Sequence, residues 1–202
     1  YREIINDWNM PQLQIVPPFF SDSLFIEAWA KVGMPYLDHN PDHVLFSFHG
    51  LPLRHLKKSD TSGNWCQNNK ECCLELTNEN KFCYSAHCHK TSKLLAERLK
   101  IDADKWSVSF QSRFGREEWV KPYTEPHLEE LAEKGIKRVV VFCPSFVSDC
   151  LETLEEIGLQ AAEHFRKCGG EELILVPSLN DHPEWIKSMT SIIRKQLSLT
   201  QP

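Results

Sequence analysis

The chain has 202 residues, with 28 acidic against 23 basic side chains and a formal net charge of -5. That length suits one substantial α/β domain, or two small ones, with a real hydrophobic core. The absence of a basic stripe argues against a nucleic-acid partner, and the longest apolar runs fall far short of the roughly 20 residues that a membrane-spanning helix needs.

The opening, YREIINDWNM, is charged and lacks the apolar centre of a signal peptide. It has no initiator Met and begins in mid-pattern, which suggests a fragment of a longer protein. Nothing points to secretion, so the eight cysteines are expected as free thiols in the cytoplasm. Cys143, Cys150 and Cys168 stand singly and read most simply as small buried hydrophobes.

SDSLFIEAWAKVG (21–33) predicts a first helix, and HVLFSF (43–48) a buried strand that runs into HGLP. KTSKLLAERL (90–99) has helical spacing, WSVSF (106–110) is a second strand, and TEPHLEELAEKG (124–135) is a helix stopped by Gly135. KRVVVFC (137–143) is a continuous apolar run, as expected of a strand buried on both faces. DCLETLEEIGLQAAEHFRKCGG (149–170) reads as one long helix, ELILVP (172–177) as the fourth strand and PEWIKSMTSIIRKQL (183–197) as the last helix. Strands alternating with helices predict an α/β fold with a doubly wound parallel sheet, whose chemistry belongs in the loops at the carboxyl ends of the strands. No glycine-rich G-x-G-x-x-G phosphate loop is present.

His49 follows the first strand, beside Gly50. An isolated histidine there can simply cap a carbonyl. An imidazole at a strand's carboxyl end, next to a glycine that lets a ligand approach, also suits a proton acceptor or metal ligand. After the third strand, Asp149 and Glu152 stand in capping-box register, and Glu152 and Glu156 share one face of an α-helix, with Glu155 off that face. Acids in a first turn suit the helix dipole. Two carboxylates with no basic partner on their face also suit a divalent cation. FQSRFGREEWVKPYTE (110–125) mixes aromatics with Arg113 and Arg116. Core packing explains part of it, and a rim for a flat, apolar, anionic ligand explains the rest.

LFSFHGLP (45–52), SFQSRFGREEWVKPYTE (109–125), CPSFVSDCLETLEEI (143–157) and SLND (178–181) together resemble the ferrochelatases, which insert ferrous iron into a porphyrin to make haem. CPSFVSDCLETLEE resembles the Gram-negative branch; other members have a histidine where this chain has Cys150, which cautions against a ligand role there. The resemblance implies that His49 takes up pyrrole protons or meets the incoming metal, with Glu152 as its carboxylate partner. It implies an acidic path through Asp149 and Glu156, and a porphyrin pocket lined by Trp119, Phe146 and Ser148. It implies two Rossmann-like lobes with the porphyrin between them, this chain being the second, carboxyl-terminal one. Protoporphyrin IX and Fe2+ are the expected substrates. Membrane contact would be peripheral at most, and oligomeric state stays open. The chemistry asks for a base that titrates near neutrality, and imidazole alone does so unaided.

In relatives the loop after HGLP runs from an acidic residue quickly into a Y-x-x-x-C stretch. Here Asp60 and 84–88 supply those ends, and residues 61–83 read as an insert. Cys88 then belongs to the family pattern as a packing residue. Cys66, Cys72, Cys73 and Cys83 remain within the insert, among polar residues that include Asn64, Gln67, Asn68, Asn69 and Lys70. Free thiols, an all-cysteine zinc site and an iron–sulfur cluster compete. Zinc sites favour two C-x2-4-C pairs, and C-x5-C-C-x9-C fits that poorly. Some bacterial ferrochelatases carry a [2Fe–2S] cluster in an internal insert of this kind, so the resemblance implies one here, with His87 and His89 as bystanders. Two rivals remain: a non-catalytic porphyrin- or metal-binding module that senses iron through a cluster, and a cobalt chelatase of the same fold.

Overall fold

The computed structural model describes residues 13–68 and 71–198. The opening decapeptide and the insert residues Asn69 and Lys70 lie outside them. In chain order the elements are α1 (Ser23–Leu37), β1 (His43–His49), α2 (Leu53–Lys58), α3 (Tyr84–Leu99), β2 (Trp106–Gln111), α4 (Thr124–Glu133) and β3 (Arg138–Phe142). A π-helix (Glu152–Ala161) that continues into α5 (Ala162–Lys167), then β4 (Glu172–Leu175) and α6 (Pro183–Ser198), complete them. The sheet is four-stranded with order β2-β1-β3-β4, and every pairing is parallel. The α/β doubly wound reading holds.

Strand periodicity divides the core in two. Val44, Phe46 and Phe48 of β1, with Val140 and Phe142 of β3, point to one face and pack with Phe25, Trp29 and Leu95 from α1 and α3. Leu45, Val139 and Val141 point to the other, against Leu128, Ile157 and Phe165 from α4, the π-helix and α5. Each of these large side chains contributes roughly 1.5–3 kcal/mol on leaving water. The helix ends follow local chemistry. Asp22 caps α1 by accepting the Leu24 N–H at 2.9 Å, and Gly135 ends α4 with φ at +86°.

The predicted elements differ in several places: α2 (Leu53–Lys58) stands where no element was expected, and α1 runs past Gly33 to Leu37. α3 starts at Tyr84 rather than 90, because Cys83 supplies its N-cap. The long helix 149–170 is instead a π-helix, widened by one residue per turn, that tightens to α only at Ala162. Asp149 and Glu152 form no capping box: the Asp149 carboxylate accepts from Asn180 Nδ2, the Ser178 N–H and the Thr153 hydroxyl, tying the β3 loop to SLND. Of the single cysteines, Cys143 is buried as expected, while Cys150 and Cys168 are only partly so.

Because the chain leaves β1 in opposite directions toward β2 and β3, the carboxyl ends of β1 and β3 form the switch point of the sheet, where a doubly wound fold leaves a crevice. No described helix is long and apolar enough to cross a membrane.

Candidate functional site

His49 ends β1 at that switch point. Its backbone N–H donates to Ser145 Oγ at 3.1 Å, and its backbone carbonyl accepts from the Tyr84 hydroxyl at 2.8 Å. Nδ1 of its ring lies 2.6 Å from the Gly50 carbonyl. A carbonyl can only accept, so Nδ1 carries a proton, and Nε2 is the ring nitrogen left to face a ligand. The rings of Trp119 and Phe146 flank the imidazole, with centroids 6.3 and 6.1 Å away.

Gly50 does not serve as an open approach for a ligand. Its N–H donates to the Gln111 carbonyl at 2.8 Å, and a Cβ there would lie 3.0 Å from that oxygen and 3.2 Å from the Trp119 ring. HGLP is thus packed against the loop after β2. The Leu53 N–H donates to the Glu118 carbonyl and the Val120 N–H to the Leu51 carbonyl, which fixes Trp119 beside His49.

Glu152 opens the π-helix. The Cys150 thiol and the residue's own N–H lower its carboxyl below the usual range, so it stands ionised, and a proton gained by His49 would lower it further. Glu156 is held by the Ser112 N–H and hydroxyl, both at 2.6 Å. Ser112 takes a positive φ of 64°, which turns both donors toward the carboxylate. Buried Gln111 donates to the Glu152 carbonyl at 2.6 Å and accepts from Ser47, so β2 braces the first turn of the π-helix. Gln111, Ser112 and Tyr84 are site residues that the sequence reading missed. Gln111 and Ser112 lie inside SFQSRFGRE, but residue type alone does not mark a brace.

A cleft of about 520 Å³ runs beside this site, lined by Glu152, Glu155, Glu156, Gln160, Arg113, Phe114 and Tyr123 among others. His49, Trp119, Phe146 and Ser148 are not among its walls. Glu155 faces the same cleft as its neighbours, against expectation, because residues three and four apart share one face of a helix, so Glu155 belongs with Glu152 and Glu156. Arg113 lies over the Tyr123 ring at 4.7 Å, and Phe114 is 85% exposed at the lip. Asp149 lies on the same loop; burial works to raise its carboxyl, but the bonds from Asn180 and Ser178 outweigh it and hold the group low. Ser148 is exposed.

The insert gathers Cys66, Cys72, Cys73 and Cys83 around one small cavity, with Asp60, Trp65 and Asn80 completing its wall. Cys72 and Cys73 sulfurs are 3.5 Å apart, and Cys73 and Cys83 sulfurs 3.7 Å apart. The Cys73 thiol and the N–H groups of Ala86 and Ser85 at the start of α3 lower the Cys83 thiol, which therefore ionises first. Burial, then the charges of Cys83 and Cys72, push Cys66 up to about 11. The Asp60 carboxylate accepts the N–H groups of Ser62, Gly63, Trp65 and Cys66, which curls the insert so that Cys66 turns inward. Among the described residues no group of three or more His, Cys, Asp or Glu is gathered tightly enough to hold a metal ion. His87 stacks on Phe20 at 3.7 Å.

The switch point of this α/β fold thus carries an oriented imidazole with two aromatic rings near it. The sequence pattern of the ferrochelatase family matches residues 1–197. The chain is 48% identical over 185 residues to the ferrochelatase of Pseudomonas fluorescens strain Pf0-1, covering 91% of this chain and 54% of that protein. To that of Azotobacter vinelandii it is 48% identical over 184 residues, 91% of this chain and 54% of the relative. To that of Legionella pneumophila strain Corby it is 46% identical over 194 residues, 96% and 57%. The chain belongs to the ferrochelatase family. It spans a little over half the length of these relatives.

Proposed function

We propose that the chain is the carboxyl-terminal lobe of a cytoplasmic ferrochelatase that inserts Fe2+ into protoporphyrin IX, with any membrane contact peripheral. The observation that carries the reading is His49 at the switch point, its ring oriented by the Nδ1 bond to the Gly50 carbonyl, with Trp119 and Phe146 close to it and ionised Glu152 on the neighbouring loop. The overall step replaces two pyrrole N–H protons with one Fe2+ ion. Nε2 of His49 accepts a pyrrole proton, and the Glu152 carboxylate stabilises the imidazolium that results. Glu156 and Asp149 extend the acidic route by which the substrate iron arrives or the protons leave. Trp119, Phe146 and the exposed Ser148 form this lobe's share of the porphyrin wall.

The test is metal insertion followed by visible absorption, with the chain alone and in the full-length protein. We expect the lobe alone to fold at least in part and insert metal poorly. In the full-length protein, His49→Ala should abolish insertion, a loss of 100-fold or more, roughly that of removing a positioned base, while porphyrin still binds. Insertion that survives His49→Ala, or a lobe as active as the full protein, would sink this reading.

The four insert thiols would serve as the donor set of a [2Fe–2S] cluster: they are all sulfur and line one cavity, and binding would draw them closer than they stand here. Cys66, Cys72, Cys73 and Cys83 would hold it, and its contribution is to tie down a polar insert with few apolar residues of its own. Anaerobic purification with iron, sulfide and zinc analysis should give two irons and two sulfides per chain, lost in Cys72→Ser. One zinc without sulfide refutes the cluster and leaves His49 and Glu152 untouched.

A further inference from the structure

His49 is anchored at both ends of its backbone, by Ser145 at the N–H and by the Tyr84 hydroxyl at the carbonyl. Tyr84 is the first residue of α3, and its N-cap is Cys83, whose sulfur lies in the thiol cavity. One peptide bond therefore joins a wall of that cavity to the anchor of the imidazole. The connection has little slack. The Cys83 N–H donates to the Asn80 carbonyl at 2.8 Å, and the buried Asn80 side chain donates to the carbonyls of Cys72 and Glu75. Burial raises the Tyr84 phenol above its usual range, so the hydroxyl keeps the proton it donates.

Resting on the reading of the thiols as ligands and of His49 as the base, we propose that Tyr84 is a positioning residue that couples the thiol cavity to His49. Drawing the four sulfurs together fixes Cys83. Cys83 fixes the first turn of α3, and Tyr84 then holds the end of β1, and with it the imidazole, at a set height in the crevice. A base displaced by a fraction of an ångström meets the pyrrole nitrogen badly, so the coupling acts on turnover rather than on porphyrin binding.

Tyr84→Phe in the full-length protein removes a single oxygen and keeps the ring. Its iron and sulfide content and its KM for porphyrin should match the wild type, while kcat falls about tenfold and amide exchange at His49 and Gly50 quickens. Loss of the cluster, by Cys72→Ser or by a chelator where that variant does not fold, should quicken the same amides in the wild type and add little in Tyr84→Phe. Unchanged kcat and exchange in Tyr84→Phe overturn the proposal. An equal effect of cluster loss in both backgrounds also overturns it. If the wild type holds no iron and sulfide, the cluster reading falls by itself, and the Tyr84→Phe exchange comparison still decides whether Tyr84 sets His49.

Discussion

Gly50 is where one methyl group has no room. A Cβ there meets the Gln111 carbonyl at 3.0 Å and the Trp119 ring at 3.2 Å, and neither neighbour is the loose end of a flexible chain. Gly50→Ala should therefore destabilise the lobe by about 1–3 kcal/mol, as overpacking does, and push Trp119 away from His49. Urea unfolding followed by tryptophan fluorescence reads both effects. An unchanged midpoint would mean that the HGLP turn gives way without strain. The glycine next to His49 was legible in the sequence, but its reason was not. Residue type announces that something approaches closely, and only the fold reveals that it is the β2 loop rather than a ligand. The same holds for Glu156, whose carboxylate was visible as an acid and whose two donors from Ser112 were not.

At the scale of elements, the strands were the easiest to see. HVLFSF and RVVVF are largely buried in a parallel sheet and so read as short runs dominated by apolar residues. The helix from Glu152 was seen as a helix but not as a π-helix, because spacing arguments assume 3.6 residues per turn. Glu155 reads as off the face of Glu152 and Glu156 for another reason: its adjacency to Glu156 suggests that, whereas its i+3 relation to Glu152 puts all three on one cleft. The insert was legible as a count of thiols and a spacing. Its shape was not, because it rests on the carboxylate of Asp60, just ahead of the insert, accepting four N–H groups within the next six residues, and residue type alone does not say which acid builds such a turn.

Across the whole molecule, the sheet separates chemistry from a pH-sensitive support. His49 lies at the carboxyl ends of the strands; at the amino ends sits a buried chain in which His43 Nε2 lies 2.7 Å from the Ser107 hydroxyl and Ser107 lies 2.8 Å from His127 Nε2. Nδ1 of His127 faces Glu130 at 3.6 Å, so His127 carries its proton there and accepts from Ser107, which in turn accepts from His43. Burial, then the charges of His127 and Lys134, lower His43 from 6.5 to about 4, and burial lowers His127 in the same direction. Between those two pH values the unfolded chain binds protons that the folded chain refuses, so stability falls as pH drops from 6.5 toward 4. The loss from His43 is on the order of 2–3 kcal/mol. Below that window Asp42, held low chiefly by the Lys137 and Arg138 N–H groups at this end of the sheet, continues the loss with the same sign. Urea midpoints between pH 7.5 and 4.5 should decline steadily, and His43→Leu should flatten the slope over that range. A slope that survives His43→Leu unchanged would place the acid sensitivity elsewhere. Because His43 and His49 occupy opposite ends of the same strand, β1, this stability profile should shift in His43→Leu while the pH dependence of iron insertion in the full-length protein stays where it was.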